Sequence, residues 1–248
     1  MAQVFEVEHT VQYYEGDMTG KLSLPMLLNL AVLSGTLQAD QLGIGDEVVH
    51  AQGVGWIVLQ YEMTITRRPK VNETIVLQTQ ARDCNAFFCQ RQYRMLDQTG
   101  QVLVDIQALF SLLDMEKRKL ARVPDEFIDA YGAQRVKRIK RGLAPAKIAE
   151  DEPVDGQQQY RVRFTDIDMN QHVNNSRYFD WLEDVLGADF LLTHEPKKLN
   201  IRFEQEVGID AVVTSRYIFD QASQISRHQV LDGDQLSLEA DISWRVIE

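Results

Sequence analysis

Cysteine is nearly absent: the 248 residues hold two, Cys84 and Cys89, inside the stretch CNAFFC. Two cysteines are too few for a disulfide framework or a zinc site, so the pair, beside Phe87 and Phe88, reads as packing residues. Proline and glycine are sparse, at 6 and 14 residues, which excludes collagen-like and low-complexity chains. No apolar run approaches the ~20 residues that a membrane helix needs. The opening MAQVFEVEHT lacks the basic stretch and apolar core of a secretory signal, and the cytoplasm is the expected compartment. No G-x-S-x-G supplies a serine nucleophile, and the glycines form no phosphate loop. No two histidines have metal-ligand spacing, since His9, His50, His194 and His228 are scattered. Neither a metal nor a cofactor is expected. Positive charge is also short, with 26 Lys and Arg against 37 Asp and Glu and a net charge of −11. Nucleic acid is excluded as a partner for the surface as a whole, because phosphate binding needs a basic footprint.

What is present is the composition of a soluble globular protein with room for one large or two modest domains: 44% hydrophobic and 25% charged residues. QVLVDIQALFSLL puts Val102, Val104, Ile106, Ala108, Phe110 and Leu112 on one face. QLSLEADISWRVI does the same with Leu236, Leu238, Ala240, Ile242, Trp244 and Val246. Such alternation predicts half-buried antiparallel strands, and an α+β class follows from the two helices between them. The first helix starts after Ser23, with Pro25 in its first turn, and stops at Gly43. Its apolar residues go nearly all the way round, which predicts burial on most sides. The second, NSRYFDWLEDVLGADFLL, has Tyr178, Trp181, Leu182 and Val185 on one face and Asp180, Glu183 and Asp184 on the other.

The two helix entrances match each other. With a constant offset, Val11 meets Val162, Asp17 meets Asp168 and Met18 meets Met169. Further on, RRPKVNETIVLQ has the rhythm of EQEVGIDAVVT, with Pro69 opposite Glu206 and Glu73 opposite Asp210. Strand, helix, then several alternating strands occur twice, the signature of an internal repeat. The halves differ where chemistry would sit. Asn170 faces Thr19 and His172 faces Lys21, so only the second half keeps a full polar set. The expected division is an N-terminal domain over 1–131, a linker over 132–156 and a C-terminal domain over 157–248. The linker holds RVKRIKR, five cations in seven residues: Arg135, Lys137, Arg138, Lys140 and Arg141. It is either a solvated linker or a docking patch for an acidic partner.

TDIDMNQHVNNSRYFDWLED concentrates this polar set. A helix needs only one N-cap, so capping does not account for Asp168, Asn170 and His172 together. If the helix begins near Asn174 or Asn175, its free N–H groups point back at that cluster and favour a developing oxyanion. Asp168 and His172 could orient or deprotonate a water, and Asn170 could hold a carbonyl. Glu206, at a strand end in RFEQEVG, could join them only through the fold.

DMNQHVNNSRYFDWLED resembles the signature of the acyl-acyl carrier protein thioesterases, and the likeness extends over GWIVLQYEMTITRRPKVNETIVLQTQA, ALFSLLDMEKRKLARVPDEF and LNIRFEQEV. The resemblance implies a tandem hot-dog fold, each half a long helix wrapped by a curved antiparallel sheet. It implies hydrolysis of a fatty acyl thioester on the carrier's phosphopantetheine arm, ending fatty acid synthesis. Asp168, Asn170, His172 and Glu206 become the catalytic candidates. The acyl chain is expected in the first half beside Leu24, Leu27, Leu28, Ala31 and Trp56. Plant members carry a cysteine directly after the second carboxylate. Here Val207 stands in that place, so water rather than a thiol must attack. Coenzyme A in place of the carrier is an alternative, as are a non-catalytic acyl-chain binding protein and a hot-dog dehydratase. Two fused units can complete the pairing that single-unit relatives obtain by dimerising, and a homodimer stays open.

Overall fold

The computed structural model describes residues 2–140 and 142–247. Its contacts divide the chain into two units. One takes the residues up to Leu22 together with Leu27–Gly142, and the other takes Ser23–Met26 together with the chain from Leu143 onward.

In the first unit, β1 (Phe5–Thr10) and a 3-10 turn (Tyr13–Glu15) lead to α1 (Leu24–Gln41) and α2 (Asp46–Ala51). Then come β2 (Val54–Ile65), β3 (Thr74–Cys84), β4 (Phe88–Leu96), β5 (Val102–Asp114), β6 (Lys119–Ala121), α3 (Asp125–Tyr131) and β7 (Gln134–Arg135). The sheet order is β1-β3-β4-β5-β2, antiparallel throughout, with β6 on β5 and the short β7 parallel to β3. The second unit repeats the plan: β8 (Gly156–Arg161), a 3-10 turn (Phe164–Asp166), α4 (Arg177–Asp184), α5 (Ala188–Thr193), β9 (His194–Phe203), β10 (Val212–Asp220), β11 (Ile225–Asp232) and β12 (Gln235–Val246). Its order, β8-β10-β11-β12-β9, is the same permutation of first, third, fourth, fifth and second strand. The repeat seen in the sequence is therefore a repeat of topology.

Three sequence expectations need correction. First, α1 is buried on most sides only in its first half, where Leu24, Leu27, Leu28, Leu30 and Ala31 are all buried; in the second half Val32, Leu33 and Leu37 are 37%, 42% and 37% exposed and only Ser34, Gln38 and Ala39 keep the buried face. Scattered apolar side chains on an outer face are ordinary. Second, the helix after Asn174 is two helices. Gly187, at φ +84°, leaves right-handed geometry between α4 and α5, a conformation that glycine adopts without a side-chain clash. Third, Cys84 and Cys89 form a disulfide. Asn85 takes the N–H groups of Phe87 (2.9 Å) and Phe88 (3.0 Å) on its side-chain oxygen, and this turn sets the cysteines directly opposite each other on β3 and β4. Both also pack, in a buried cluster with Leu112, Val123 and Phe127.

No helix among the described residues is long and apolar enough to cross a membrane.

Candidate active site

The TDIDMNQHVNN stretch folds as a tight turn ahead of α4. The Asp168 N–H donates to the His172 carbonyl (2.9 Å), and the Gln171 N–H donates to the Asp168 carbonyl (3.0 Å). Gln171 takes the left-handed conformation that closes the turn, at φ +66°. The Asp168 side chain accepts the Asn170 N–H at 2.8 Å, an Asx turn. Asp168 therefore shapes the loop that presents Asn170 and His172. Asn170 is exposed and His172 half-buried.

The first unit builds the same turn. Asp17 exchanges backbone bonds with Lys21 (2.8 Å) and Gly20 (2.9 Å), its carboxylate takes the Thr19 N–H (2.8 Å), and Gly20 is left-handed at φ +72°. The 3-10 turns match too: Glu15 and Asp166, both buried, accept the N–H groups of Gln12 and Arg163 at 2.8 Å. Asp166, the first acid of TDIDMNQH, is thus a cap. Burial pushes its carboxyl up, but bonds and charge from Arg163 and Arg177 outweigh this and hold it below the usual carboxylate range.

Glu206 arrives from the segment after β9. The Val173 N–H donates to the Val207 carbonyl at 2.9 Å, tying the turn to that segment. One residue away on each side of this clamp, His172 Nε2 lies 2.9 Å from Glu206 Oε2. The structure thus brings together two candidates that lie far apart in the sequence. In the first unit the corresponding clamp is the Leu22 N–H on the Pro69 carbonyl (2.8 Å). Pro69 therefore corresponds to Val207, and Glu206 corresponds to Arg68. The sequence pairing of Pro69 with Glu206 is one residue out, as is that of Glu73 with Asp210, because the Val11–Glu73 bond matches the Val162–Ala211 bond. Arg68 is buried and ion-pairs with Asp17, where Glu206 in the second unit meets His172. Burial raises the Asp17 carboxyl, but Thr19 and Arg68 win and leave it below its ordinary value.

The mouth of the helix differs from expectation. The α4 helix starts at Arg177, not at Asn174 or Asn175. Asn174 takes the Ser176 N–H (2.9 Å) and hydroxyl (3.0 Å) on its side chain and the Arg177 N–H on its carbonyl (2.8 Å). Those donors are spent on capping and are not free for an oxyanion. Val207 is fully buried, and its carbonyl serves the clamp.

Leu24, Leu27, Leu28 and Ala31 are buried, and the ring of half-buried Trp56 meets Phe110 and Phe127 at 6.4 Å each. In the basic stretch, Arg135 is already paired with Asp129 (2.6 Å) and Asp125 (3.3 Å). Lys137, Arg138 and Lys140 are exposed, and Arg141 lies outside the described residues. No group of three or more metal-ligating side chains occurs among the described residues.

Sequence reasoning did not single out Arg68.

The whole is an α+β protein of two like units with its polar set in the second. Family descriptions agree: the acyl-ACP thioesterase N-terminal domain matches residues 2–131 and the C-terminal domain matches residues 149–246. A solved structure from Lactobacillus plantarum, assigned by its description as an oleoyl thioesterase, is 34% identical, covers 100% of this chain and 98% of its own, and superposes with a TM-score of 0.95. The 12:0-ACP thioesterase from Umbellularia californica, at 21% identity and a TM-score of 0.86 over 98% of both chains, shares the fold. A chloroplastic acyl-[acyl-carrier-protein] hydrolase from Cuphea viscosissima is 24% identical over 89% of this chain and 56% of its own length. The chain spans about half the length of the curated plant relatives it matches. It belongs to the acyl-ACP thioesterase family.

Proposed function

We propose that this chain hydrolyses the thioester between a fatty acyl group and the phosphopantetheine arm of acyl carrier protein, releasing free fatty acid. The observation that carries the reading is the 2.9 Å contact between His172 and Glu206 beside the Val173–Val207 clamp, in a chain of this family. In this reading each unit is a hot-dog. The second carries the chemistry, and the N-terminal half of the chain takes the acyl chain along α1, at Leu24, Leu27, Leu28 and Ala31, and at Trp56.

Glu206 faces one edge of the imidazole. A neutral His172 that keeps its proton on Nε2, toward Glu206, has its lone pair on Nδ1, where it can accept a proton from water. The water oxygen bonds to the thioester carbon, the carbonyl becomes an oxyanion, and the Asn170 amide donates to it. The intermediate collapses with loss of the thiolate, which recovers the proton from the imidazolium. Asp168 keeps Asn170 and His172 in one frame through its Asx turn. Because Val207 offers no nucleophile, no acyl-enzyme forms at that position.

The decisive assay offers the chain a graded series of saturated and unsaturated acyl groups on carrier protein and on coenzyme A. Hydrolysis of the carrier-bound series is the expected result. Tight fatty acid binding without turnover of any thioester would leave an acyl-binding module instead. For carrier docking, reversing Lys137, Arg138 and Lys140 to glutamate is expected to raise KM for carrier-bound substrate about tenfold and to leave coenzyme A thioesters within about twofold. Equal effects on both would remove docking from this segment.

A further inference from the structure

We propose that Tyr93 and Arg91 form the end wall of the acyl-chain path along α1 and so set the longest acyl group that this chain hydrolyses. The inference rests on the hydrolase reading above and adds to it the residues that decide chain length.

The inward face of α1 changes character along its length. Leu27, Leu28 and Ala31 come first, and Ser34, Gly35 and Gln38 follow, all buried. The change falls roughly 10 Å beyond Leu27 at the rise of a helix. There the helix touches the sheet. A Cβ built on Gly35 would lie 3.2 Å from both Cε1 and the hydroxyl oxygen of Tyr93 on β4, so the ring fills the gap and leaves less than the room a methyl group takes. Tyr93 is 3% exposed, between Thr79 on β3 and Ile106 on β5. Burial pushes its phenol up to about 12, which the charge of Arg91 only partly offsets, so it stays neutral.

Arg91 is the next inward residue of β4 and meets Gln38, the next inward side chain of α1. Its guanidinium donates to Gln38 Oε1 at 2.6 Å and to Thr79 Oγ1 at 3.1 Å, and lies 4.5 Å over the ring of Tyr131. Arg91 is 9% exposed and these partners are neutral, so its charge is held by dipoles and a ring face. Fully buried Tyr61 extends the layer, because Ala108 on β5 pairs with Arg91 on one side and with Tyr61 on the other. An alkyl chain that runs along Leu27, Leu28 and Ala31 therefore ends against a closed contact backed by polar groups. To go further it must move Tyr93 off Gly35 and displace the acceptors of Arg91, and a methyl group returns no hydrogen bond for those it breaks.

The test is a one-pot competition among saturated acyl groups of graded length on carrier protein, read as the ratio of released fatty acids. All lengths compete for the same enzyme, so the ratio does not depend on how much of a variant is folded. Tyr93→Ala is expected to raise the share of acids about two to four carbons longer than the parent's optimum by about tenfold, the scale on which a pocket discriminates methylene groups. Arg91→Met, which keeps much of the bulk and removes the charge, should move the ratio the same way by about threefold. Gly35→Ala favours the helix and presses on Tyr93, and should move the ratio toward shorter chains. His228→Gln, in the core of the other unit, should leave the ratio as it is. Unmoved ratios in Tyr93→Ala and Arg91→Met overturn the inference, as does an equal shift in His228→Gln. Should Tyr93→Ala fail to fold, Arg91→Met and Gly35→Ala decide, and two unmoved ratios overturn it. A parent chain that hydrolyses no thioester removes the hydrolase reading and this inference together, whereas an active parent whose ratio none of these changes moves removes the inference alone.

Discussion

Replacing His172 by alanine is expected to lower kcat/KM on carrier-bound acyl thioesters by about a thousandfold while the melting temperature moves by only a few degrees. A factor of this size is what a positioned general base contributes, about 4 kcal/mol of transition-state stabilisation. Stability should change little, because His172 and Glu206 keep 29% and 35% of their side-chain surface in solvent and their ion pair is no large prop of the fold. Glu206→Gln should fall short of the parent by a similar order, since the amide can still accept a hydrogen bond but carries no charge to offset an imidazolium. Asp168 gives a sharper contrast. Asp168→Ala removes the bond to the Asn170 N–H and should abolish hydrolysis. Asp168→Asn can still accept that N–H and should keep activity within about tenfold of the parent. If His172→Ala and Asp168→Ala both hydrolyse near the parent rate, the turn is not the reacting site.

The second large effect is on acid stability, and it comes from a histidine that the sequence left among the scattered ones. His228 on β11 is fully buried, and burial holds its imidazole down at about 3. Trp244 Nε1 donates to Ser226 Oγ at 2.7 Å, the serine hydroxyl donates to the Ile242 carbonyl at 3.5 Å, and His228 Nε2 lies 2.7 Å from the same Oγ. The folded chain therefore keeps His228 neutral where an unfolded histidine, near pH 6.5, takes a proton. Below that pH the unfolded state binds more protons, and stability falls as pH falls. The stabilisation is complete above about pH 6.5 and is lost progressively from there down toward pH 3. The slope is about 1.4 kcal/mol per pH unit, and roughly 2.7 kcal/mol is gone by pH 4.5. Denaturant melts at pH 7 and pH 4.5 should show that His228→Gln, which does not titrate, loses that much less stability on acidification than the parent. Equal acid losses in both chains would mean that His228 is accessible to protons in the folded state.

Alternation and helix punctuation were enough to place the long strands and α1, because half-buried strands and capped helices write their period into the side chains. The repeat was legible at the helix entrances, where both halves use the same Asp at the same place in the turn. It slipped by one residue further on. The α1 helix runs Leu24–Gln41 and is followed by α2, whereas α4 runs only Arg177–Asp184, so the two halves reach Pro69 and Val207 by different path lengths. Only the clamp hydrogen bonds fix the match, and those are invisible in a string of letters. The same slip hid Arg68. The disulfide was missed for a related reason: spacing along the chain says nothing of facing, which Asn85 decides by turning β3 into β4. Asn170 and His172 stood out because capping could not explain them.

The turn that carries Asp168, Asn170 and His172 is held by backbone bonds, a left-handed residue and one aspartate, and its copy at Asp17 is held the same way. The backbone bonds and the left-handed residue involve no side chain at 170, 172, 19 or 21; the Thr19 hydroxyl only adds a 2.6 Å bond to Asp17 in the first copy. Such a loop is evolvable: its shape is insulated from its chemistry, so a duplicated gene could exchange an amide for a hydroxyl, or an imidazole for an amine, without unfolding the loop in either copy.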